Sequence, residues 1–170
     1  MSKPIGDLVR RSGRVAFYGV PAAGGSGDPI FTRMRGFTDM VQSKNAKEYN
    51  RQYVDEDFEQ SDVVGFSPSV SYTFDDYRGN AVHEDIVKLT DSEAMGNDAI
   101  RQVIMVDIAT KKAIKRDFVV VPDSEGDGTD SYAYSGNLKV KGEKVEGTVA
   151  TNDEWQTCTF TPDTVEPEQS

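Results

Sequence analysis

One stretch of the chain alternates apolar residues with small residues at every second position. Its apolar members are Val64, Phe66, Pro68, Val70, Tyr72 and Phe74, and only Gly, Ser and Thr stand between them. A period of two places the two sets on opposite faces of a β-strand, so we predict one buried face and one small polar face. Pro68 has no N–H to donate to a ladder, and it therefore indicates an edge or a bulge.

The residues before this strand predict its partner in a hairpin. Residues 40–53 are polar and extended in character, and they are followed by an acidic segment whose members are Asp55, Glu56, Asp57, Glu59 and Asp62. We therefore predict one long hairpin from Met40 to Phe74 with an acidic tip. The first strand is too polar to lie in a core on both faces.

A single segment has helical spacing. Apolar residues recur there at i, i+4 and i+7: Val82, Ile86 and Leu89. Asn80 is a suitable N-cap, and Glu84 and Asp85 suit the positive end of the helix dipole. We predict that the helix ends within Thr90–Gly96, with Gly96 closing it.

The other predicted elements are strands. They span residues 15–19, 30–36, 103–108, 118–121, 132–140, 145–149 and 155–160. Residues 103–108 and 118–121 are apolar on both faces, which is typical of central strands. We predict one domain over residues 1–170, mainly β with one packed helix (α+β), as a sandwich or barrel, with a basic N-terminal arm (1–13) and an acidic tail (162–170).

Composition narrows the classes of partner. The formal net charge is −10 and there is one cysteine. Binding nucleic acid through its phosphates needs clustered Lys and Arg, and an anionic membrane surface needs the same, so both are disfavoured. No internal disulfide can form. Basic residues followed by the apolar stretch 15–23 resemble a signal peptide. Gly19 and Pro21 interrupt that stretch, so we expect no cleavage.

One loop resembles a calcium site. Its acidic residues are Asp123, Glu125, Asp127 and Asp130. The first three stand at positions 1, 3 and 5 of a calcium loop with Gly at position 6, but Tyr134 stands where position 12 requires Glu. A solvated turn between two strands and a Ca²⁺ site of another geometry both remain open.

No catalytic set is recognisable. His83 is the only histidine, and its neighbours Glu84 and Asp85 point elsewhere on a helix, so they form no triad with it. Cys158 has no adjacent basic residue that would lower its pKa and make it a reactive thiolate. The alternative to a reactive cysteine is a small buried or half-buried side chain. The Gly24–Asp28 loop lacks the Gly-Lys-Ser/Thr of a phosphate loop. We expect no enzymatic activity and no cofactor, and we expect His83→Ala and Cys158→Ser to leave assembly and biological activity nearly intact.

Four stretches in this order and spacing resemble the major tail proteins (tail-tube subunits) of siphophages and related prophages. They are Ser43–Tyr49 with Arg51–Asp55, Ser61–Phe74, Asn80–Lys88, and Lys115–Gly128 leading into Tyr134–Gly136. The resemblance covers most of residues 13–161. It implies a sandwich or barrel-like domain flanked by a helix, hexameric rings stacked into a tube, and long hairpins or arms that tie one ring to the next.

The resemblance also implies partners and a location. They are other copies of the chain, the tape-measure protein, tail terminator and tail-tip proteins, and DNA passing non-specifically, in a virion made in the bacterial cytoplasm and without a membrane. Candidate assembly or lumen residues are Asn45, Lys47, Tyr49, Arg51 and Tyr53, with the acids Asp55, Glu56, Asp57, Glu59 and Asp62. Two alternatives remain open: a secreted or surface β-sandwich binding module with a Ca²⁺ site, and the inner tube of a contractile device.

Overall fold

A computed structural model describes residues 6–22, 27–126 and 129–163. The fold is mostly β-structure with one α-helix, which confirms the predicted fold class. The strands are β1 (Arg14–Val20), β2 (Ile30–Arg33), β3 (Phe37–Ser43), β4 (Ala46–Arg51), β5 (Gln60–Phe66), β6 (Ser69–Asp75), β7 (Ile100–Asp107), β8 (Lys112–Gly126), β9 (Ala133–Val140), β10 (Val145–Ala150) and β11 (Thr157–Pro162). Helix α1 spans Ala81–Asp91, and two short 3₁₀ helices span Arg11–Gly13 and Gly96–Ala99.

The chain folds as two compact units. Unit 1 comprises Met1–Arg35, Arg101–Asp117 and Glu143–Ser170, and unit 2 comprises Gly36–Ile100 and Phe118–Gly142. The single domain over residues 1–170 stays a prediction. The N-terminal arm before residue 6, the loop residues 23–26 and the tail after residue 163 lie outside the described residues. In the part of the chain that is described, no helix is both long and apolar enough to cross a membrane.

Unit 1 is a closed ring of strands. Its hydrogen-bonded order is β10, β11, β2, β1, β7 and the first residues of β8, and Lys112–Lys115 of β8 pair back onto Val145–Thr148 of β10. Closure matters because an open sheet leaves unpaired N–H and C=O groups along its edges. The core of this barrel contains Phe17, Ile104, Val106, Ala113, Val149 and Cys158.

Unit 2 contains an antiparallel sheet in the order β3, β6, β9 and the last residues of β8. The alternation predicted for β6 is confirmed, since Val70, Tyr72 and Phe74 are buried and the residues between them are half-buried. Cross-strand partners share a face, so the buried side continues onto β9 through Tyr134 and Leu138.

Helix α1 packs against this buried face. The predicted N-cap is confirmed, because Asn80 Oδ1 accepts hydrogen bonds from the backbone N–H groups of Val82 (3.1 Å) and His83 (3.3 Å). Val82, His83, Ile86 and Leu89 form its buried stripe.

The predicted closure of the helix by Gly96 is wrong. Ser92 is the C-cap, and Glu93 follows in the left-handed region with φ 52°. Glu93 N–H donates to Thr90 O and Ala94 N–H donates to Leu89 O, which is the Schellman pattern of hydrogen bonds. The carbonyl groups at the helix end are therefore already satisfied before Gly96, which instead begins the second 3₁₀ helix.

Candidate assembly surface

The long predicted hairpin is present, but it consists of two ladders. β3 pairs with β6, and β4 pairs with β5 as a separate two-stranded sheet. Asn45 lies at the break with φ 49°, and its Nδ2 donates to Ser67 O (2.9 Å) and Ser69 Oγ (3.1 Å). Pro68 follows at the same break, between β5 and β6, so it interrupts the predicted strand instead of forming the predicted edge or bulge. We call residues 44–67 the arm.

Burial on the arm differs from the prediction. The alternation that buries Val70, Tyr72 and Phe74 continues back to Phe66 and Val64, yet these two side chains are 61% and 66% exposed. All residues of β4 are exposed, and so are all of β5 except the half-buried Gly65. The physical reason is that no other described element covers either face of this two-stranded sheet.

The two faces of the arm have different chemistry. Register places Lys47, Tyr49 and Arg51 on one face, where Arg51 Nη1 donates to the Tyr49 hydroxyl at 3.0 Å and Asp62 lies opposite Tyr49. The other face carries the pairs Ala46–Phe66 and Glu48–Val63. One face is thus mainly polar, and the other exposes apolar side chains to solvent.

The tip of the arm is a hydrogen-bonded turn. Glu56 N–H donates to Tyr53 O at 3.0 Å, Gln52 Nε2 donates to Glu56 O at 3.1 Å, and Gln60 Nε2 donates to Glu56 Oε2 at 2.7 Å. The tip holds the predicted acids and also Val54 and Phe58, both almost fully exposed. Sequence reasoning missed these two residues because nothing in the local pattern distinguishes an exposed apolar residue from a buried one.

The structure brings the ten predicted assembly residues together on the arm but not into one cluster. Lys47, Tyr49, Arg51 and Asp62 share a face, Asn45 lies at the base, and the remaining members occupy the tip: Tyr53, Asp55, Glu56, Asp57 and Glu59. The arrangement is that of a protruding surface, because no side chain of β4 or β5 is buried.

The four-stranded sheet of unit 2 has a second polar surface on the face away from α1. Cross-strand register forms rows of small residues, such as Ser71 beside Asn137 and Thr73 beside Ser135. Asp39, Asp75 and Lys139 also lie in these rows, opposite Thr73, Ala133 and Ser69 respectively, so the rows hold two acids and one base. We call this surface the polar face.

The proposed calcium loop is largely strand. Asp123 and Glu125 lie in β8, which continues to Gly126 with a bulge between Pro122 and Ser124, so the predicted turn begins later than expected. Asp127 lies outside the described residues, and Asp130 follows in a bend. Among the described residues, no group of three or more His, Cys, Asp or Glu side chains is arranged to hold a metal ion. Burial, with a smaller contribution from the Asp123 carboxylate, raises the pKa of Tyr72 to about 12.

His83 is a core residue, and this corrects the expectation that it can be replaced without effect. It is fully buried, its ring stacks on Phe74 with centroids 4.4 Å apart, and it meets Phe37 edge-to-face at 5.2 Å. Its Nδ1 accepts a hydrogen bond from Tyr77 N–H at 3.3 Å. Cys158 is buried in the barrel as predicted, and burial raises its pKa to about 12, so little reactive thiolate forms at neutral pH.

A solved structure has a similar arrangement of these elements. It is described as the tail of an empty GTA particle, computed with helical refinement in C6 symmetry. The similarity has a TM-score of 0.58 at 13% sequence identity, and it covers 81% of this chain and 97% of that chain. The two chains share a fold. No protein-family model matches the chain, and no curated protein matches it.

The shared fold extends over nearly the whole of the GTA tail chain. The similarity therefore concerns the complete folded body of that protein and not a single motif within it. At this identity the likeness establishes the fold, and the role of the arm and of the polar face follows from their own chemistry.

Proposed function

We propose that the protein is a structural subunit of a phage-type tail and has no catalytic activity. In this proposal six copies form a ring, and rings stack into a tube that holds a tape-measure protein and later conducts DNA. The observation that carries the proposal is the arm, a protruding hairpin with no buried side chain, on a fold shared with a chain of a C6-symmetric tail.

The composition of the arm supports assembly with other proteins. Monomeric proteins rarely expose contiguous apolar surface without a partner for it. The exposed large apolar side chains of the arm are Tyr49, Tyr53, Val54, Phe58, Val63, Val64 and Phe66. Covering them in an assembly removes apolar area from water at about 25 cal/mol per Å², which offsets the entropy of ordering a hairpin.

The charge of the assembly bears on DNA passage. Six chains of −10 each give a formal charge of −60 per ring. A net negative lumen repels DNA phosphates and allows the duplex to slide, whereas a positive lumen would bind it. The polar face carries two acids and one base in its paired rows, whereas the arm carries six acids and three bases, so the acids that we propose for the lumen come from the arm.

Electron microscopy of the purified protein over a range of concentrations tests the proposal. We expect rings with sixfold symmetry or tubes, and we expect them with or without a chelator. A protein that stays monomeric at high concentration, even with tail partners added, contradicts the proposal. Monomers whose stability falls on chelation would instead favour the calcium-binding module.

The lumen is tested by replacing arm acids that line it with Lys, once the assembled tube identifies them. Such variants should build tails but eject DNA slowly, most clearly at low salt, where screening is weakest. Ejection at the normal rate, or a lumen that proves net positive, would refute the electrostatic argument.

A further inference from the structure

Charge is divided unevenly between the two units. Unit 2 holds 7 of the 19 lysines and arginines and 18 of the 29 aspartates and glutamates, which gives a formal charge of −11. Unit 1 holds the other 12 bases and 11 acids, which gives +1. Unit 1 is therefore close to neutral overall, and any attraction of the acidic unit 2 for another copy needs a local cluster of bases on unit 1.

Five of the twelve bases of unit 1 lie near one end of its barrel. Arg14, the first residue of β1, pairs in register with Asp107, the last of β7, and their side chains lie 3.8 Å apart. Lys111 N–H donates to Asp107 O at 2.8 Å, and Gly13 N–H donates to Arg10 O at 2.9 Å. The exposed bases at this end are Arg10, Arg11, Arg14, Lys111 and Lys112, against the acids Asp7 and Asp107. We call this end the basic end.

The basic end also exposes apolar side chains. Leu8 is 89% exposed and Val9 is 62% exposed, and they directly precede Arg10 and Arg11 in the chain. The basic end therefore presents two apolar residues bordered by cations.

The tip of the arm has the matching composition with the opposite sign. Phe58 is 82% exposed, and with Val54 it stands among Asp55, Asp57 and Glu59. An apolar surface bordered by negative charge fits an apolar surface bordered by positive charge. Packing of the apolar side chains excludes water from the opposite charges that surround them.

We propose that the arm tip of one copy docks on the basic end of a second copy. In this contact Phe58 and Val54 pack against Leu8 and Val9, and the tip acids face Arg10, Arg11 and Lys111. The inference rests on the proposed function, because it assigns to the arm a receiving surface within the assembly. The contact is heterologous, because it joins two different surfaces of the subunit, and its repetition links copies into a ring or a filament.

A charge swap tests this contact through the critical concentration for assembly, measured by pelleting. The tip variant carries Asp55→Lys and Asp57→Lys, and the end variant carries Arg10→Glu and Lys111→Glu. Each should raise the critical concentration about tenfold, which is about 1.4 kcal/mol. The chain carrying all four changes should assemble near the wild-type concentration, because both sides of the contact have then exchanged sign.

A matched control separates this effect from total charge. The control carries Asp91→Lys and Asp130→Lys, at exposed positions of unit 2 outside the arm. It changes the net charge by the same amount as the tip variant. It should assemble like the wild type. A tip variant that assembles like this control, or a fourfold variant that is not restored, overturns the inference while wild-type tubes still support the proposed function. Wild-type protein that forms no assembly refutes the proposed function itself.

Disulfide cross-linking keeps the inference testable if a charge variant folds poorly. Phe58→Cys in one chain and Val9→Cys in another are mixed and mildly oxidised, so that only a contact between copies can link them. We expect a disulfide-linked pair of the two chains. A mixture of Phe58→Cys with Met95→Cys, a position in unit 2 that is more exposed than Val9, is the control. Cross-linking no greater than in this control overturns the inference.

Discussion

Replacing His83 with Ala should strongly destabilise the subunit. The imidazole is fully buried, and its ring stacks on Phe74 and meets Phe37 and Tyr77. Gly36 approaches so closely that a Cβ there would lie 2.9 Å from His83 Cε1. Truncation would therefore leave a cavity between α1 and the sheet.

The expected cost follows from what the ring contributes. Removing a large buried ring from a core costs about 3–5 kcal/mol, in which the lost transfer free energy and the cavity are combined. Tyr77 N–H would also lose its acceptor, and a hydrogen bond contributes about 0.5–1.5 kcal/mol. The greater helix propensity of Ala returns about 0.5 kcal/mol. We expect a net loss of about 3–6 kcal/mol, a large part of the stability of an ordinary domain.

His83→Asn separates the two contributions. The Asn oxygen can replace Nδ1 as the acceptor for Tyr77 N–H, but the ring is lost. We expect this variant to be about 1 kcal/mol more stable than His83→Ala. Lys88→Ala, on the exposed side of the same helix, is the control and should change stability little.

Urea unfolding followed by far-ultraviolet circular dichroism measures these differences on the free subunit. The single tryptophan, Trp155, lies in unit 1, so its fluorescence is a second probe that is independent of α1. A His83→Ala variant within about 1 kcal/mol of the wild type would refute the cavity argument. Equal stability of the Ala and Asn variants would refute the role of the hydrogen bond.

Three further predictions concern the helix, alkaline pH and the arm. Asn80→Ala should cost about 1 kcal/mol in urea unfolding because two N–H groups lose their acceptor; an unchanged midpoint would contradict the cap. Burial raises the pKa of Tyr72, Tyr134 and Cys158 to about 12 from 10, 10 and 9, so the stability that these neutral groups contribute is complete below about pH 9 and is lost as pH rises toward 12; a urea midpoint that stays flat from pH 9 to 11.5 would be inconsistent with this. Residues 45–62 should exchange amide hydrogens rapidly in the free subunit and slowly in tubes, and equal protection in both states would contradict assembly through the arm.

The limits of sequence-based prediction are visible along one hairpin. Alternation correctly assigned Val70, Tyr72 and Phe74 to a single face, because a strand has a period of two. The same alternation at Val64 and Phe66 is interrupted by a register shift that puts Val63 on the face of Phe66, and it did not show whether anything covers that face. Covering depends on distant elements such as α1, and no local pattern encodes their position.

Pairings between distant segments were also beyond the sequence. Lys115 pairs with Val145 to close the barrel, although 29 residues separate them, and neither segment carries a signal that specifies the other. The turn-forming residues of 123–126 were predicted as a loop, but a bulge after Pro122 lets the strand continue through them. For the assembly surface, the acids of the tip were predictable from composition, whereas Phe58 became meaningful only once its exposure was known.

The arm has a consequence for how this sequence can evolve. No residue of β4 or β5 lies in the core of the subunit, so a substitution there has little effect on whether a single chain folds. Selection for a stable monomer therefore leaves these residues almost unconstrained, and any restriction on them must come from other molecules. Lineages that share the barrel can diverge freely in the arm, provided that the arm and the surface that receives it change together.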